Sequence, residues 1–171
     1  MIRTKQFHES PLARSIGVLL AERLQKKQTV QPVDFVVTIP KYWLRRVLKG
    51  STGTAPIAEE IAKNLRIPYF PHALHWKRNI RKQSLLSVTE RSRNVRGALE
   101  LSRGFDVQDA SVLVVDDTMT TGATCDEAAA VFKRHGAKYV AVAVAARASN
   151  LDTLDAIDLK SNLNQSAVGA M

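Results

Sequence analysis

Val112-Leu-Val-Val-Asp-Asp-Thr-Met-Thr-Thr-Gly-Ala-Thr124 is the stretch on which the fold turns. Its first four residues are apolar and mostly β-branched, the profile of a buried strand. Two carboxylates follow, Asp116 and Asp117, then small hydroxyl residues around Gly122, then a pattern that predicts a helix over 124–135 ended by Gly136. Strand, acid pair, glycine and helix start in that order place the acids at the carboxyl edge of a parallel sheet, where open α/β sheets bind ligands. The N–H groups at a helix start are unpaired and carry the positive end of the helix dipole, which suits phosphate. Gly122 lets the backbone approach the anion, and Thr120, Thr121 and Thr124 add hydroxyl donors. Ionised carboxylates accept hydrogen bonds from a sugar diol. Each piece alone would read as a helix cap; together they describe a site for a ribose 5-phosphate. No G-x-x-x-x-G-K-[ST] loop and no G-x-G-x-x-G after a strand competes with it.

Outward from this loop, helices and strands alternate. Ser10 and Pro11 start a predicted helix whose stripe is Leu12, Ile16, Leu19 and Leu20 and which ends near Gln25. Phe35 to Ile39, closed by Pro40, reads as a buried strand. A polar loop over 49–54 leads to a helix at about Ala55–Leu65, with Ile57, Ile61 and Leu65 at helical spacing. Tyr69 to Trp76 reads as an irregular strand interrupted by Pro71. A basic segment over 77–96 carries a short helix that Thr89 could cap, and Leu99 to Leu101 is a weak strand. Tyr139 to Ala146 alternates Val and Ala, which predicts a strand buried on both faces. The expectation is one α/β domain over 1–149, a mainly parallel twisted sheet flanked by helices, with a small hood at about 70–100 and a mobile tail over 150–171.

The 171 residues suit one such domain, and 45% hydrophobic with 24% charged residues is an ordinary globular composition. No apolar run reaches the ~20 residues of a membrane span, and no signal-peptide apolar region is evident, so a cytoplasmic protein without membrane insertion is expected. The single cysteine, Cys125, excludes an internal disulfide and a thiolate zinc cluster. The net charge of +9 is uneven: residues 1–104 hold 20 Lys/Arg against 7 Asp/Glu, and residues 105–171 hold 5 against 9. A basic half of this kind attracts phosphorylated metabolites or nucleic acid.

The quoted loop resembles that of the type I phosphoribosyltransferases. The resemblance implies that Asp116 and Asp117 are catalytic and face the ribose hydroxyls of phosphoribosyl pyrophosphate (PRPP). It further implies that Thr118, Thr120, Thr121, Gly122, Ala123 and Thr124 complete the PRPP site, and that Mg²⁺ bridges pyrophosphate and ribose oxygens without a direct protein ligand. Gln83-Ser-Leu-Leu-Ser-Val-Thr-Glu-Arg-Ser-Arg-Asn-Val-Arg-Gly-Ala98 narrows the match, since it is similar to the competence protein F (ComF/GntX-like) family. Strand and Pro40 followed by Arg45 and Lys49-Gly50 also fit that family's first loop. The resemblance covers about Phe7 to Arg147. Three features depart from it. The paired cysteines of a zinc ribbon are absent, so no zinc is expected; Ser51-Thr-Gly-Thr54 replaces a stretch that often bears Asn or Gln; and Leu99 replaces an aromatic.

Ribosyl transfer passes through an oxocarbenium-like state while pyrophosphate leaves as a multiply charged anion, so positioning and charge neutralisation are the tasks. Lys41 and Arg45, after the first strand, are candidates for the pyrophosphate. Arg78, Gln83, Arg91 and Asn94 are hood candidates, among basic residues that include Lys77, Arg81 and Lys82. Tyr42, Trp43, Arg46 and Lys49 mix aromatic and basic groups in a way that suits single-stranded DNA, or equally aromatic packing beneath a basic surface. Hypoxanthine-guanine salvage enzymes usually carry a third acid where this chain has Thr120, which cannot act as a base toward a purine. Three functions follow as expectations: PRPP-dependent ribosyl transfer to an unidentified acceptor linked to DNA uptake or use, a non-catalytic PRPP-responsive DNA-binding protein, and nucleobase salvage, the last weakened by Thr120. The four histidines show no metal-ligand spacing, and Cys125 reads as packing.

Overall fold

The structure is a computed structural model and describes residues 11–26, 31–40, 54–80, 87–147 and 159–160. In chain order the elements are α1 (Pro11–Lys26), β1 (Phe35–Thr38), α2 (Thr54–Leu65), β2 (Tyr69–Phe70), β3 (Leu74–Trp76), α3 (Val88–Val95), β4 (Leu99–Leu101), β5 (Ser111–Met119), α4 (Ala123–Arg134), β6 (Tyr139–Arg147) and β7 (Leu159–Lys160). A five-stranded sheet runs in the order β2-β1-β5-β6-β7, and β3 and β4 form a separate ribbon. β2, β1, β5 and β6 are parallel, while β7 pairs antiparallel with β6. Among the described residues no helix is long and apolar enough to cross a membrane.

Apolar alternation along the central strands divides the interior into two layers. Val36, Leu113, Val115, Ala141 and Ala143 face α1 and α2, packing on Leu20, Leu24, Ile57 and Ile61. Phe35, Val37, Val112, Val114 and Val144 face α4 and the β3–β4 ribbon, meeting Cys125, Ala128, Val131, Phe132, Leu74, Leu99 and Leu101. Because successive strand residues point to opposite faces, strands covered on both sides are apolar on both, as Phe35–Val37 of β1 and Val112–Val115 of β5 are. Phe35, Phe70 and Phe105 add three edge-to-face ring contacts with centroids 5.0 to 5.6 Å apart.

α1 departs from its predicted stripe. Leu12 and Leu19 are 68% and 56% exposed, and the face against α2 is Ala13, Gly17, Leu20, Ala21 and Leu24. Close approach selects the small residues: a Cβ on Gly17 would stand 2.7 Å from the Glu60 Cβ and 2.8 Å from the Ile57 carbonyl oxygen. The short helix α3 is capped by Ser87 rather than Thr89. The Ser87 hydroxyl accepts from the Glu90 N–H and the Glu90 carboxylate accepts from the Ser87 N–H, a reciprocal capping box. Pro71 does more than interrupt a strand, since Tyr69–Phe70 joins the main sheet and Leu74–Trp76 the ribbon. β6 is less covered than its composition predicts: Tyr139, Val140 and Val142 are only partly buried. Two residues of the segment read as a tail, Leu159 and Lys160, pair with Ala143 and Val142.

Gly17→Ala is expected to lower stability by about 1–3 kcal/mol, the usual cost of forcing a group into a filled contact. Urea denaturation measures it, and a wild-type midpoint would show that the two helices have room to separate.

Candidate functional site

β1 and β5 are neighbours, yet their connections depart in opposite directions. β1 feeds α2 and β2 on one side of the sheet, whereas β5 feeds α4 and β6 on the other. The carboxyl ends of the two strands therefore flank a topological switch point, the place where such sheets leave a ligand crevice. The β5 rim is the quoted loop. Pairing of β5 with β6 continues past Val115 through the acids, with Asp116 opposite Val144 and Thr118 opposite Ala146, so the two carboxylates stand on the strand rather than beyond it. Burial ends just there: Val115 is fully buried, Asp116 and Asp117 are half-buried, and Thr118 is exposed. Met119 lies in the α4-side core although its odd position would place it on the other face, so the strict alternation of β5 ends within 116–118. The Asp117 N–H donates to Asp116 Oδ1 at 2.9 Å, which fixes one oxygen of that carboxylate against the main chain.

After Met119 the chain turns into α4 through Gly122, the N-cap, at φ 81° and ψ −6°. That left-handed conformation favours glycine, and no side chain caps the helix from this position. Thr121 Oγ1 accepts from the Ala123 N–H at 3.4 Å, and the Gly122 carbonyl accepts from the Asp126 N–H at 2.8 Å. Thr120 is exposed and Thr121 and Thr124 are half-buried, so the hydroxyl residues border the helix start that the sequence assigned to phosphate. Met119 supports the turn from below, with its sulfur 3.6 Å from where a Gly122 Cβ would lie.

The β1 rim consists of Thr38, Ile39 and Pro40. The Ile39 N–H donates to the Val115 carbonyl at 3.4 Å, which binds this rim to the strand bearing the acids. The buried Thr38 hydroxyl pairs with the Tyr69 hydroxyl at 3.2 Å. Burial pushes the Tyr69 phenol above its ordinary value of 10.0; the Thr38 hydrogen bond opposes the shift and the nearby Glu59 carboxylate adds to it. The pair is thus neutral around pH 7. Lys41 and Arg45, expected at the pyrophosphate, lie outside the described residues, as do Tyr42, Trp43, Arg46, Lys49 and Gln83.

The hood is placed by β3, α3 and β4. A small cluster of Ile80, Val95, Ala98 and Ala123 seats it on the first residue of α4. Arg78 is a clamp: one guanidinium nitrogen donates to the carbonyls of Asn94 and Arg96 at 3.0 Å each, closing the C-terminal end of α3. Asn94 thus contributes its main chain to that clamp, while Arg91 stands half-buried on α3. Lys77 is 3.6 Å from Glu100, so part of the basic charge is met within the ribbon. Sequence reasoning missed Trp76, whose indole N–H donates to the Pro40 carbonyl at 2.7 Å across 36 residues. Its only local signal is an aromatic residue beside a basic run.

The phosphoribosyl transferase domain family matches residues 51–166. The DNA utilization protein YhgH of Escherichia coli (strain K12) is 30% identical over 127 residues, 73% of this chain and 55% of its own. Competence protein F of Haemophilus influenzae is 24% identical over 138 residues, which are 80% of this chain and 60% of that one. The chain therefore spans little more than half the length of these curated relatives. Among solved structures, glutamine PRPP amidotransferase from B. subtilis, complexed with ADP and GMP, has a TM-score of 0.51 at 24% identity, covering 78% of this chain and 26% of that one. At that identity the likeness speaks for the fold alone.

Gly122→Ala is expected to lower stability by about 1–2 kcal/mol through left-handed strain alone, because no atom would crowd the new methyl. A chemical denaturation curve at wild-type midpoint would place the glycine in an ordinary helix-cap conformation.

Proposed function

The chain belongs to the phosphoribosyl transferase domain family, in its competence protein F-like branch, and on that premise we propose that it binds PRPP between the β1 and β5 rims and transfers ribose 5-phosphate to an acceptor used in DNA uptake or utilisation. The observation that carries this reading is the coincidence, at a sheet switch point, of the half-buried acids Asp116 and Asp117 with a helix start whose N-cap is the left-handed Gly122. Helix-start N–H groups and the hydroxyls of Thr120, Thr121 and Thr124 would hold the 5-phosphate. Asp116 and Asp117 would accept from the ribose hydroxyls and stabilise the positive charge that grows on the ring as the bond from C1 to pyrophosphate breaks. The acceptor's nucleophilic atom then takes C1, and pyrophosphate departs with both electrons of the broken bond. Lys41 and Arg45 remain the residues of choice for neutralising it.

Mg²⁺ would enter this site with the substrate, since carboxylates beside substrate phosphates are the usual surroundings of a hard cation that keeps its waters. Bound there, the ion would supply charge neutralisation for the pyrophosphate. Thr120, exposed where a purine-directed base would stand, argues against salvage of 6-oxopurines.

A second reading, a PRPP-responsive protein that binds single-stranded DNA without turnover, draws on the surplus of basic residues in 1–104 and on the names of the relatives. Anisotropy of labelled single-stranded DNA separates the readings. Several phosphate contacts would make affinity fall steeply with salt, and no binding at low salt would remove the second reading.

Titration calorimetry of PRPP with Mg²⁺ tests the site. Saturable binding is expected for the wild type, with a loss of at least roughly tenfold in affinity for Asp116→Asn/Asp117→Asn, about the worth of one hydrogen bond to a charged group. A folded double variant that binds as well as the wild type would refute the assignment of the acids.

A further inference from the structure

Trp76 bonds to the β1 rim and packs against the cluster that holds the first residue of α4, without belonging to either rim. Its indole N–H donates to the Pro40 carbonyl, the last described group of the β1 rim, at 2.7 Å. Its ring packs on the cluster that contains Ala123, the first residue of α4 on the β5 rim, and also on the main α4-side core. No other partly buried residue packs against both clusters among the described residues. Its strand, β3, is held to β4 in antiparallel register, and the Lys77 N–H donates to the Ala98 carbonyl at 2.8 Å, so the hood frame that carries the ring is itself fastened.

We propose that Trp76 is a positioning residue for the PRPP site: it sets the separation of the β1 and β5 rims and transmits that separation to the hood. This rests on the functional reading above. Pro40 has no N–H, so its carbonyl is the main-chain group through which the end of the β1 rim can be held from the side. A partly buried carbonyl that loses its donor is drawn toward water, which turns the Pro40 peptide at the end of the β1 rim. On the other rim the same ring packs against the Ile80, Val95, Ala98 and Ala123 cluster, so a shift of the indole repacks the cluster on which the first residue of α4 sits, and the N–H groups of that helix start are the proposed phosphate donors. A ligand that spans both rims, with a 5-phosphate at one and a pyrophosphate at the other, is sensitive to their spacing, because misplacement of its contacts by a fraction of an ångström lowers their combined strength.

The test compares three proteins by titration calorimetry with Mg²⁺ and PRPP, each below its own melting temperature. Trp76→Phe keeps an aromatic ring and removes the N–H; it is expected to bind roughly tenfold more weakly than the wild type. Leu20→Ala empties a fully buried site in the α1–α2 layer. It is expected to melt earlier than Trp76→Phe and yet to bind PRPP as the wild type does, which a merely structural role for Trp76 does not predict. Trp76→Phe binding within about twofold of the wild type overturns the positioning role and leaves the PRPP reading standing. A folded wild type that binds no PRPP overturns both. Should Trp76→Phe fail to fold, wild-type protein carrying fluorotryptophan gives a resonance for each of its two indoles, assigned with Trp43→Phe. The Trp76 resonance must shift on saturation with PRPP, and a Trp76 resonance that stays fixed while PRPP binds overturns the proposal.

Discussion

β5 is buried without interruption from Ser111 to Val115, and the rest of the molecule is arranged to make that burial complete. A strand with apolar side chains on both faces cannot stand at a surface, so one face takes the α1–α2 layer and the other takes α4 with the ribbon. Its edges are taken by β1 and β6. Once it is central, its carboxyl end brings polar groups out of the interior, and the change from Val115 to Asp116 is that point. The acids are thus rooted in a buried central strand while they themselves are half-exposed. This combination is what a site needs when its work is to hold a charged sugar in one geometry.

The same constraint explains why small residues matter here. A glycine-started helix can follow β5 directly only if Gly122 takes a left-handed conformation, and α1 can cover the opposite face only if Gly17 lets it approach α2. The hood adds specific contacts to the core packing of Leu74, Leu99 and Leu101: the capping box at Ser87, the Arg78 clamp, the Ala123 cluster and the Trp76 hydrogen bond.

The sequence makes the central loop legible because every signal in it is local: an apolar run, two acids, a glycine and a helix start within 13 residues. The alternation of strands and helices is legible for the same reason. The packing of α1 is not, because its sequence carries two apolar sets on neighbouring faces. Leu12, Ile16 and Leu19 have more hydrophobic surface, but Ala13, Gly17 and Leu20 permit the closer contact, and only tertiary structure decides between them. Ser87 with Glu90 is a signature written in the sequence that Thr89 obscured. The bond from Trp76 to Pro40 joins elements 36 residues apart, and no periodicity reports such a contact. Nor does the strand pattern alone show that pairing continues through Asp116 to Met119, since acids and hydroxyl residues favour turns.

The central claim is that the α4 N-terminus and the acid pair form one ligand site. Amide chemical-shift mapping in ¹⁵N-labelled protein, with PRPP and Mg²⁺ added to saturation, tests it most directly. The largest shifts are expected on 116–125, with a second group at the end of β1. Shifts confined to the basic surface of residues 1–104, with the amides of 121–125 unmoved, would contradict it.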